Sequence, residues 1–515
     1  MDLAEHRADV RAIVADRTLT YRQRVQALAM AAENALEPPT VSDACRIALD
    51  EGVICDLHEG DFPHRPRYTL PDYARAITLG SDFLELPPPR DFDDATTLLL
   101  ALYGNIPSIT GYPVWFGDID RLLEPFASGL SDTELHERLR RFWILLDRLF
   151  PDAFAHANLG PADGRVARAA LAVHRDLRQV VPNLTLRVDP DVTPDGLVVD
   201  AMRTVALVAQ PHLVNHPMMV ADLGERYGVV SCYNSLPVGG GAHTLVRVNL
   251  KEAAVRHRGD LASFADSTLA TYVDLMGELA DARIRRLVEE SGFFEHSWLV
   301  REGLLSLDRF TAMLGMFGLA ECVELLLERD GHPGRYGHDA HADALAHSIV
   351  RSVSERVAEI PVAYCEATGG RALLHSQAGL DSDAGTTAGT RVAVGAEPPL
   401  YDHVRTVAPN HTFFPSGVSD IIRLDETIAD NPRAAVDIAT GAMRSGMRDV
   451  TFEVAGGEFV RVTGFLVRRR DLEQVGDGVR HASTVLGAGQ FDNMHLDERR
   501  VQRVRSHELD PRPGR

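Results

Sequence analysis

The spacing of apolar residues predicts helices at the start of the chain and alternating strands and helices after it. Residues 1–60 carry apolar side chains every three or four positions, which is typical of amphipathic helices. Runs rich in β-branched residues, which are typical of strands, occupy 183–188, 227–234 and 243–250. Helical spacing returns over 260–290, 308–329 and 339–358. This alternation indicates an α/β sheet or barrel.

Glycine-rich stretches mark the remaining boundaries. Residues 375–400 are rich in Gly, Ala, Asp and Thr, which is typical of a loop that faces a substrate. Gly456 and Gly457 separate two alternating runs and predict a β-hairpin. We therefore expect an N-terminal helical segment, a barrel with its surrounding helices, a C-terminal hairpin and a tail, at 1–66, 67–448, 449–475 and 476–515.

The charge balance argues against nucleic acid as a partner. The 515 residues hold 53 Lys and Arg against 74 Asp and Glu, a formal net charge of −21, which leaves no general basic surface for a phosphate backbone. No apolar run approaches the ~18 residues of a membrane helix, and the first residues lack the pattern of a secretion signal. We expect a soluble, cytoplasmic protein with neither nucleic-acid nor membrane partners.

The single lysine excludes one cofactor chemistry and argues against another. Because Lys251 is not part of a Gly-Lys-Ser/Thr motif, P-loop nucleotide chemistry is excluded. A pyridoxal-phosphate Schiff base would have to form on Lys251, and the surrounding sequence VRVNLKEAA carries no pattern for that cofactor.

The cysteines and histidines do not predict a metal site. No two of the five cysteines form a CxxC pair, so we expect neither a disulfide scaffold nor a four-thiolate zinc site. A second candidate metal site is the histidine cluster His332, His338, His341 and His347. Nothing like an HExxH motif accompanies this cluster, and we predict that it holds no metal.

The segment RVTGF at 461–465 carries the first candidate chemistry. A radical on a backbone Cα is stabilised by both flanking amides when the centre is planar, and Gly464 can flatten without steric cost because it has no Cβ. The alternative interpretation is a strand glycine that marks a bulge. The segment resembles the signature of glycyl radical enzymes near their C-terminus, with Phe465 in place of the usual Tyr.

Cys232 carries the second candidate chemistry. A lone buried cysteine is more often a small apolar residue than a nucleophile. Here, however, a predicted strand ends at the thiol, and Gly239, Gly240 and Gly241 follow, which lets backbone approach a ligand closely. The segment is similar to the cysteine loop of anaerobic (class III) ribonucleotide reductases, in which a Gly-rich turn and a strand ending in Asn-Leu follow the cysteine.

Longer segments resemble one family of glycyl radical enzymes, the YjjI family. These segments occupy 67–89, 106–126, 210–250 and 335–346. Together the similarity extends over most of the chain from residue 67 to about residue 470. In addition, MFGLAE at 316–321 resembles a helix start of the reductases and makes Glu321 a candidate site residue.

The resemblance implies a fold and a route to the radical. The fold would be a ten-stranded α/β barrel of two five-stranded halves, surrounded by helices, with the cysteine and glycine loops meeting inside. A separate radical-S-adenosylmethionine activase with an iron–sulfur cluster would install the radical on Gly464, and no cofactor would stay bound. The enzyme would be oxygen-sensitive, and we expect a homodimer.

The resemblance also implies the roles of the site residues. The Gly464 radical would take hydrogen from Cys232, and the thiyl radical would take hydrogen from a small polar substrate. Candidate substrate-binding residues are Asn234, Gly239, Gly240, Gly241, Asn249, His216 and Glu321. His216 has an equally good interpretation as a buried structural histidine, and participation of Cys55 or Cys322 stays open.

Two departures from related enzymes leave the reaction open. The zinc site and the ATP-binding domain of the reductases have no counterpart here, and the diol-dehydratase type carries Gly-Cys-x-Glu where this chain has Val-Ser-Cys-Tyr-Asn. The alternative is a ribonucleotide-reductase-like enzyme without those parts, in which Arg187, Arg203 and Arg247 would contact phosphate. A non-catalytic barrel protein is a third interpretation, which the intact Cys232 and Gly464 pair disfavours.

Overall fold

The strands of the chain are short, and most of them are fully buried. The computed structural model describes residues 3–17, 19–56, 59–109, 111–376, 383, 385–461, 466–473 and 496–504. The strands are β1 (Ile54–Cys55), β2 (Tyr68–Leu70), β3 (Trp115–Asp118), β4 (His156–Leu159), β5 (Asn183–Val188), β6 (His212–Asn215), β7 (Tyr227–Val230), β8 (Asn234–Pro237), β9 (Gly240–Asn249), β10 (Phe310–Phe317), β11 (Leu373–Ser376), β12 (Asp420–Leu424), β13 (Asp449–Val454), β14 (Phe459–Arg461), β15 (Leu466–Arg468) and β16 (Val501–Gln502).

Helices precede, connect and follow these strands. They are α1 (Leu3–Ala15), α2 (Tyr21–Glu33), α3 (Asp43–Asp50), α4 (Tyr73–Leu79), α5 (Phe92–Tyr103), α6 (Ile119–Leu123), α7 (Asp132–Leu149), α8 (Arg165–Leu177), α9 (Asp195–Val208), α10 (His216–Leu223), α11 (Leu250–Arg256), α12 (Ala270–Arg285), α13 (Phe293–His296), α14 (Trp298–Arg301), α15 (Leu319–Arg329), α16 (Ala340–Glu359), α17 (Leu400–His411), α18 (Pro432–Arg444) and α19 (Arg469–Glu473). The mixture confirms the α/β class.

The larger sheet joins strands from the first half of the chain to strands near its end. Its order is β16-β12-β13-β6-β5-β4-β3. β3, β4, β5 and β6 run parallel, β13 joins β6 in the antiparallel sense, and β12 runs parallel to β13. All residues of β5 are buried, as expected of a parallel strand covered on both faces. Helices α7, α8, α9 and α18 pack side by side in one layer.

The smaller sheet is built on β9, its longest strand. The order is β1-β9-β10-β11, and β2 also pairs with β9. β9, β10 and β11 run parallel, whereas β1 and β2 are antiparallel to β9. The N-terminal helices α1, α2 and α3, which helical spacing predicted, lead directly into β1. The N-terminal segment therefore contributes a strand to the body of the protein.

The hairpin of β7 and β8 lies between the two sheets. β7 contacts β3 and β4 of the larger sheet, and β8 contacts β9 of the smaller sheet. Asn158 on β4 holds the hairpin, because its side chain donates to the Val229 carbonyl (2.9 Å) and accepts from the Val229 N–H (2.8 Å). The same Asn158 oxygen accepts from Trp115 Nε1 at 3.0 Å. One buried amide thus anchors the element that carries Cys232.

Three details of the sequence interpretation need correction. Residues 227–234 form a hairpin with Cys232 in its turn, not one strand. The expected helix over 308–329 is strand β10 followed by α15, because a continuous apolar run fits a buried strand as well as a helix. Gly456 and Gly457 do not join a hairpin, since β13 pairs within the larger sheet and β14 pairs with β15.

The C-terminal tail contributes to the fold where it is described. β16 pairs with β12 in parallel and forms one edge of the larger sheet. Residues 496–504 are thus integrated into the body, in contrast to the tail that we expected from residue 476 onward. Among the described residues, no helix combines the length and the apolar character needed to cross a membrane.

Replacement of Asn158 by alanine should destabilise the protein strongly. The substitution leaves Trp115 Nε1 and both backbone groups of Val229 without a partner in a buried environment. Because each such group costs about 1–3 kcal/mol, we expect a loss of ~3 kcal/mol or more in urea-induced unfolding. Asn105→Ala, which removes an exposed side-chain hydrogen bond, is the matched control and should change stability by less than about 0.5 kcal/mol. Equal effects of the two substitutions would contradict the anchoring role.

Candidate active site

Cys232 lies at the tip of the β7–β8 hairpin, in a strained turn. The residues on either side, Ser231 and Tyr233, have φ angles of 53° and 66°. This left-handed backbone conformation is unfavourable for residues other than glycine and costs ~1–3 kcal/mol per residue. Cys232 itself is only 3% exposed. The fold therefore holds a buried thiol in a conformation that the chain would not adopt without support.

Polar side chains from β2 and β8 surround the turn. Tyr68 Oη lies 3.4 Å from Ser231 Oγ and 3.4 Å from Asn234 Nδ2. Asn234 Nδ2 also donates to the Val230 carbonyl at 3.1 Å, so Asn234 closes the turn. Burial raises the pKa of Tyr68, which also interacts electrostatically with Cys232. A neutral phenol therefore faces the thiol.

Residues 416–417 contact the turn from a third direction. The N–H of Ser235 donates to the Ser416 carbonyl at 2.9 Å. At Gly417, where φ is 116°, a Cβ atom would lie 1.9 Å from the Tyr233 carbonyl oxygen. Glycine is required there, because no side chain fits between the two backbones. The contact places the segment before β12 directly against the cysteine turn.

The chain that leads to Gly464 reaches the residue next to Cys232. Gly464 itself belongs to 462–465, outside the described residues. Arg461, three positions earlier on β14, is fully buried, and its Nη1 donates to Tyr233 Oη at 3.3 Å. Its Nη2 donates to the Ala209 carbonyl at 2.5 Å. These contacts bring the two predicted catalytic segments together.

A layer of buried polar residues packs against Tyr233. The His212 ring lies edge-on to the Tyr233 ring, with centroids 4.6 Å apart. His156 and Thr185 on the neighbouring strands contact His212, the latter at 2.9 Å from His212 Nε2. Burial lowers the pKa of His156 to about 3 and that of His212 well below its usual range. Burial also raises the pKa of Asp449 well above its usual range.

Sequence analysis missed this layer. Its four members, His156, Thr185, His212 and Asp449, each come from a different one of the adjacent strands β4, β5, β6 and β13. The signal was present as polar residues inside otherwise apolar strands, as in NLTLRV and HLVN. Because strand pairing across the chain decides which of these residues meet, the pattern alone could not have grouped them.

The three predicted glycines give room to the protein's own backbone. A Cβ atom on Gly240 would lie 2.0 Å from the Arg309 carbonyl oxygen, and one on Gly241 would lie 1.9 Å from the Tyr68 carbonyl oxygen. Gly239 has a φ angle of 82° and turns the chain from β8 into β9. The close approach of Gly241 to the Tyr68 carbonyl therefore allows β2 to pair with β9, and this pairing positions Tyr68.

The other candidate substrate-binding residues have structural partners. Asn249 caps helix α11 by accepting from the Glu252 N–H at 3.2 Å. Glu321 accepts from the Thr387 N–H at 2.9 Å and so fixes the loop that follows β11. His216 lies 2.9 Å from Tyr227 Oη at the start of α10. Only Asn234 among the predicted side chains is seen beside the cysteine turn.

Burial disfavours thiolate formation at the cysteines other than Cys232, and two members of the histidine cluster are hydrogen-bonded within the protein. Burial raises the pKa of Cys45 and Cys55 to about 11 and that of Cys365 to about 12, and raises that of Cys322 still further. His338 is bonded to the Ala396 carbonyl, and His347 to Asn410. Within the described parts of the chain, no three His, Cys, Asp or Glu residues are grouped so that they could hold a metal ion.

The arginines considered for phosphate contacts are all engaged in ion pairs. Arg187 pairs with Asp118 at 2.6 Å, and Arg247 pairs with Asp383 at 2.7 Å. Arg203 pairs with Asp200 at 2.9 Å on an exposed face of α9. Their charges are therefore compensated within the protein.

Two solved structures share the fold of this chain. An anaerobic ribonucleotide reductase matches with a TM-score of 0.69 and 12% identity, covering 97% of this chain and 88% of that chain. Hydroxyproline dehydratase from Clostridioides difficile matches with a TM-score of 0.69 and 11% identity, covering 96% and 88%. The fold is the α/β barrel of the glycyl radical enzymes.

The family follows from more closely related sequences. The family model described as "Glycyl radical enzyme YjjI-like" matches residues 19–502. The YjjI protein of Escherichia coli (strain K12) is 46% identical over 502 residues, covering 97% of this chain and 96% of that protein. This chain belongs to the YjjI-like family of glycyl radical enzymes.

Alkylation of Cys55 should depend on pH differently from that of an exposed cysteine. Burial raises the pKa of its thiol to about 11, although the nearby Arg247 guanidinium acts in the opposite direction. Because the thiolate is the nucleophile, its rate with iodoacetamide should rise about tenfold per unit between pH 8 and pH 10. In the unfolded chain the same thiol should level off near pH 9. Peptide mass spectrometry measures both rates, and levelling in the folded protein would contradict the burial effect.

Proposed function

We propose that Gly464 stores a radical and that Cys232 transfers its reactivity to a small polar substrate. Membership of the family supports a glycyl radical enzyme. The observation that carries the assignment of residues is the bond from Arg461 to Tyr233, since it joins the segment before Gly464 to the neighbour of Cys232. A glycine Cα can become planar without steric cost, which suits it to hold the radical.

Two hydrogen-atom transfers begin the reaction at the protein, and their reversal after the substrate radical has rearranged restores the Gly464 radical. The Gly464 radical takes a hydrogen atom from the Cys232 thiol, which restores the glycine C–H bond and leaves a thiyl radical. The thiyl radical then takes a hydrogen atom from a substrate C–H bond, which restores the thiol and leaves a substrate radical. Each step moves one proton and one electron together, so no charge develops at either residue.

The surroundings of Cys232 suit a reaction without charge separation. Burial disfavours the charged forms of His156, His212 and Asp449 and raises the pKa of Tyr68. A buried site also excludes water, which would otherwise quench reactive intermediates. The layer thus contributes a buried support behind the turn.

Activation and assembly form part of the proposal. A separate radical-S-adenosylmethionine activase carrying an iron–sulfur cluster removes a hydrogen atom from Gly464 and is the protein partner. The activated enzyme is sensitive to oxygen and functions as a homodimer. Reduction of ribonucleotides is the less favoured alternative, because Arg187, Arg203 and Arg247 are already paired with carboxylates.

Activation should produce a glycyl radical at Gly464. Anaerobic incubation with the activase and S-adenosylmethionine is expected to give a doublet in the electron paramagnetic resonance spectrum, from coupling to the remaining α-hydrogen. Gly464→Ala should abolish the doublet, because the Cβ atom opposes planarity. Gly441→Ala, on the exposed face of α18 where an added Cβ atom meets nothing within 4 Å, is the control and should retain the doublet. Persistence of the doublet in Gly464→Ala would falsify the assignment.

Cys232 should be dispensable for radical storage and required for turnover. Cys232→Ser keeps the size of the side chain but strengthens the bond to hydrogen, so transfer to the Gly464 radical becomes strongly uphill. We expect normal radical yield and no substrate consumption. Serine at Cys45 or Cys365 should cause only packing losses of about 0.5–3 kcal/mol. Radical yield and substrate consumption are measured for all five Cys→Ser variants. Turnover by Cys232→Ser at the parent rate would refute the thiyl role.

A further inference from the structure

One partly buried arginine near the cysteine turn lacks the carboxylate partner that six buried arginines have. The paired arginines and their carboxylates are Arg67 with Glu59, Arg187 with Asp118, Arg247 with Asp383, Arg283 with Asp56, Arg448 with Asp222 and Arg499 with Glu453. The exception is Arg391, whose Nε donates to the Ser419 carbonyl at 2.8 Å. Over the described ranges, neither of its terminal Nη groups has a hydrogen-bond partner, and no carboxylate oxygen lies within 4 Å.

Contacts of the neighbouring backbone place Arg391 at the active site. Ser419 belongs to the segment in which Ser416 accepts from the Ser235 N–H and Gly417 abuts the Tyr233 carbonyl. Arg391 interacts electrostatically with Tyr233 and with Cys232. The side chain is only partly buried, although it lies deep enough for burial to lower the pKa of its guanidinium. Among the described residues, the Nη groups of Arg391 therefore have no hydrogen-bond partner near the cysteine turn.

The nearest acidic residue is already compensated. Asp420 lies near Arg391, but its Oδ1 is 3.1 Å from His403 Nε2. Burial opposes a positive charge on His403, yet the adjacent Asp420 carboxylate raises the pKa of this imidazole overall. Asp420 is thus bonded to His403 and acts on Arg391 only electrostatically, beyond the distance of a direct ion pair. A guanidinium in the interior without a direct carboxylate partner favours the binding of an anion.

We propose that the substrate of this enzyme carries a carboxylate group that Arg391 binds next to Cys232. This inference rests on the proposed function and narrows its substrate class. A guanidinium with two free Nη groups matches a carboxylate in a two-bond geometry. One unit of positive charge suits a singly charged carboxylate better than a phosphate or diphosphate ester, which would need further cations. Binding there leaves the hydrogen-bearing carbon of a short acid close to the thiol.

A pair of alkylating reagents tests the proposal on the resting enzyme. Iodoacetate and iodoacetamide both transfer a CH₂ group to sulfur with loss of iodide, but only iodoacetate carries a carboxylate. For Cys232, we expect the ratio of iodoacetate to iodoacetamide rates to exceed that of the same thiol in the unfolded chain by about tenfold or more. Arg391→Gln should remove this preference, and Arg391→Lys should retain part of it. Arg203→Gln, at an exposed pair on α9, is the matched control and should keep it.

Ligand-induced stabilisation provides the second measurement. Propionate should raise the Tm of the parent protein more than its neutral isostere propionamide, and the difference should vanish in Arg391→Gln. A larger rise with inorganic phosphate that also depends on Arg391 would overturn the carboxylate assignment in favour of a phosphoryl group. If Cys232 resists both alkylating reagents, the Tm comparison alone decides.

Several outcomes contradict the proposal outright. These are equal normalised rates for the two reagents, a preference that survives in Arg391→Gln, and equal Tm shifts for propionate and propionamide. None of these measurements needs the radical, so they are independent of the electron paramagnetic resonance experiment. Absence of the doublet in the activated parent protein would refute the radical at Gly464 and leave the anion site standing. Absence of the reagent preference in the parent protein would refute the anion site and leave the radical standing.

Discussion

The buried bond from Arg461 to Tyr233 is the contact on which the arrangement of the site depends. It joins residues 228 positions apart and ties the C-terminal hairpin to the cysteine turn. A buried guanidinium needs hydrogen-bond acceptors, and Tyr233 and the Ala209 carbonyl accept from the two terminal nitrogens of Arg461. Arg499 in turn donates to the Arg461 carbonyl at 3.0 Å. The strand that leads to Gly464 is therefore held from several directions.

The turn that receives this contact is itself held under strain. Ser231 and Tyr233 keep left-handed conformations because Tyr68, Asn158, Asn234 and Gly417 fix the hairpin from both sheets. The cost is local, and the hydrogen bonds that offset it are distributed over β2, β4, β8 and the segment before β12. Such a design places one thiol accurately through hydrogen bonds and close backbone contacts.

The sequence was sufficient to propose Cys232 and Gly464 as the reactive residues but not to predict their environment. Cys232 and Gly464 lie in short segments whose residue types express their chemistry directly, and the α/β class followed from strand and helix periodicity. The hairpin around Cys232 was misinterpreted because its turn uses Ser and Tyr in conformations that normally require glycine. The sequence did not predict Arg391 or the layer of His156, Thr185, His212 and Asp449, because long-range strand pairing decides what these residues contact.

The order of strands in the larger sheet has a consequence for biosynthesis. β6 ends at Asn215, and its partner β13 begins only at Asp449. At ribosomal rates of about 5–20 residues per second, the edge of β6 stays unpaired for roughly 10–50 s on the nascent chain. An open edge strand is a template for pairing with other chains. Until the last strands emerge, the growing polypeptide therefore carries its aggregation-prone surface beside the same turn that later holds the reactive thiol.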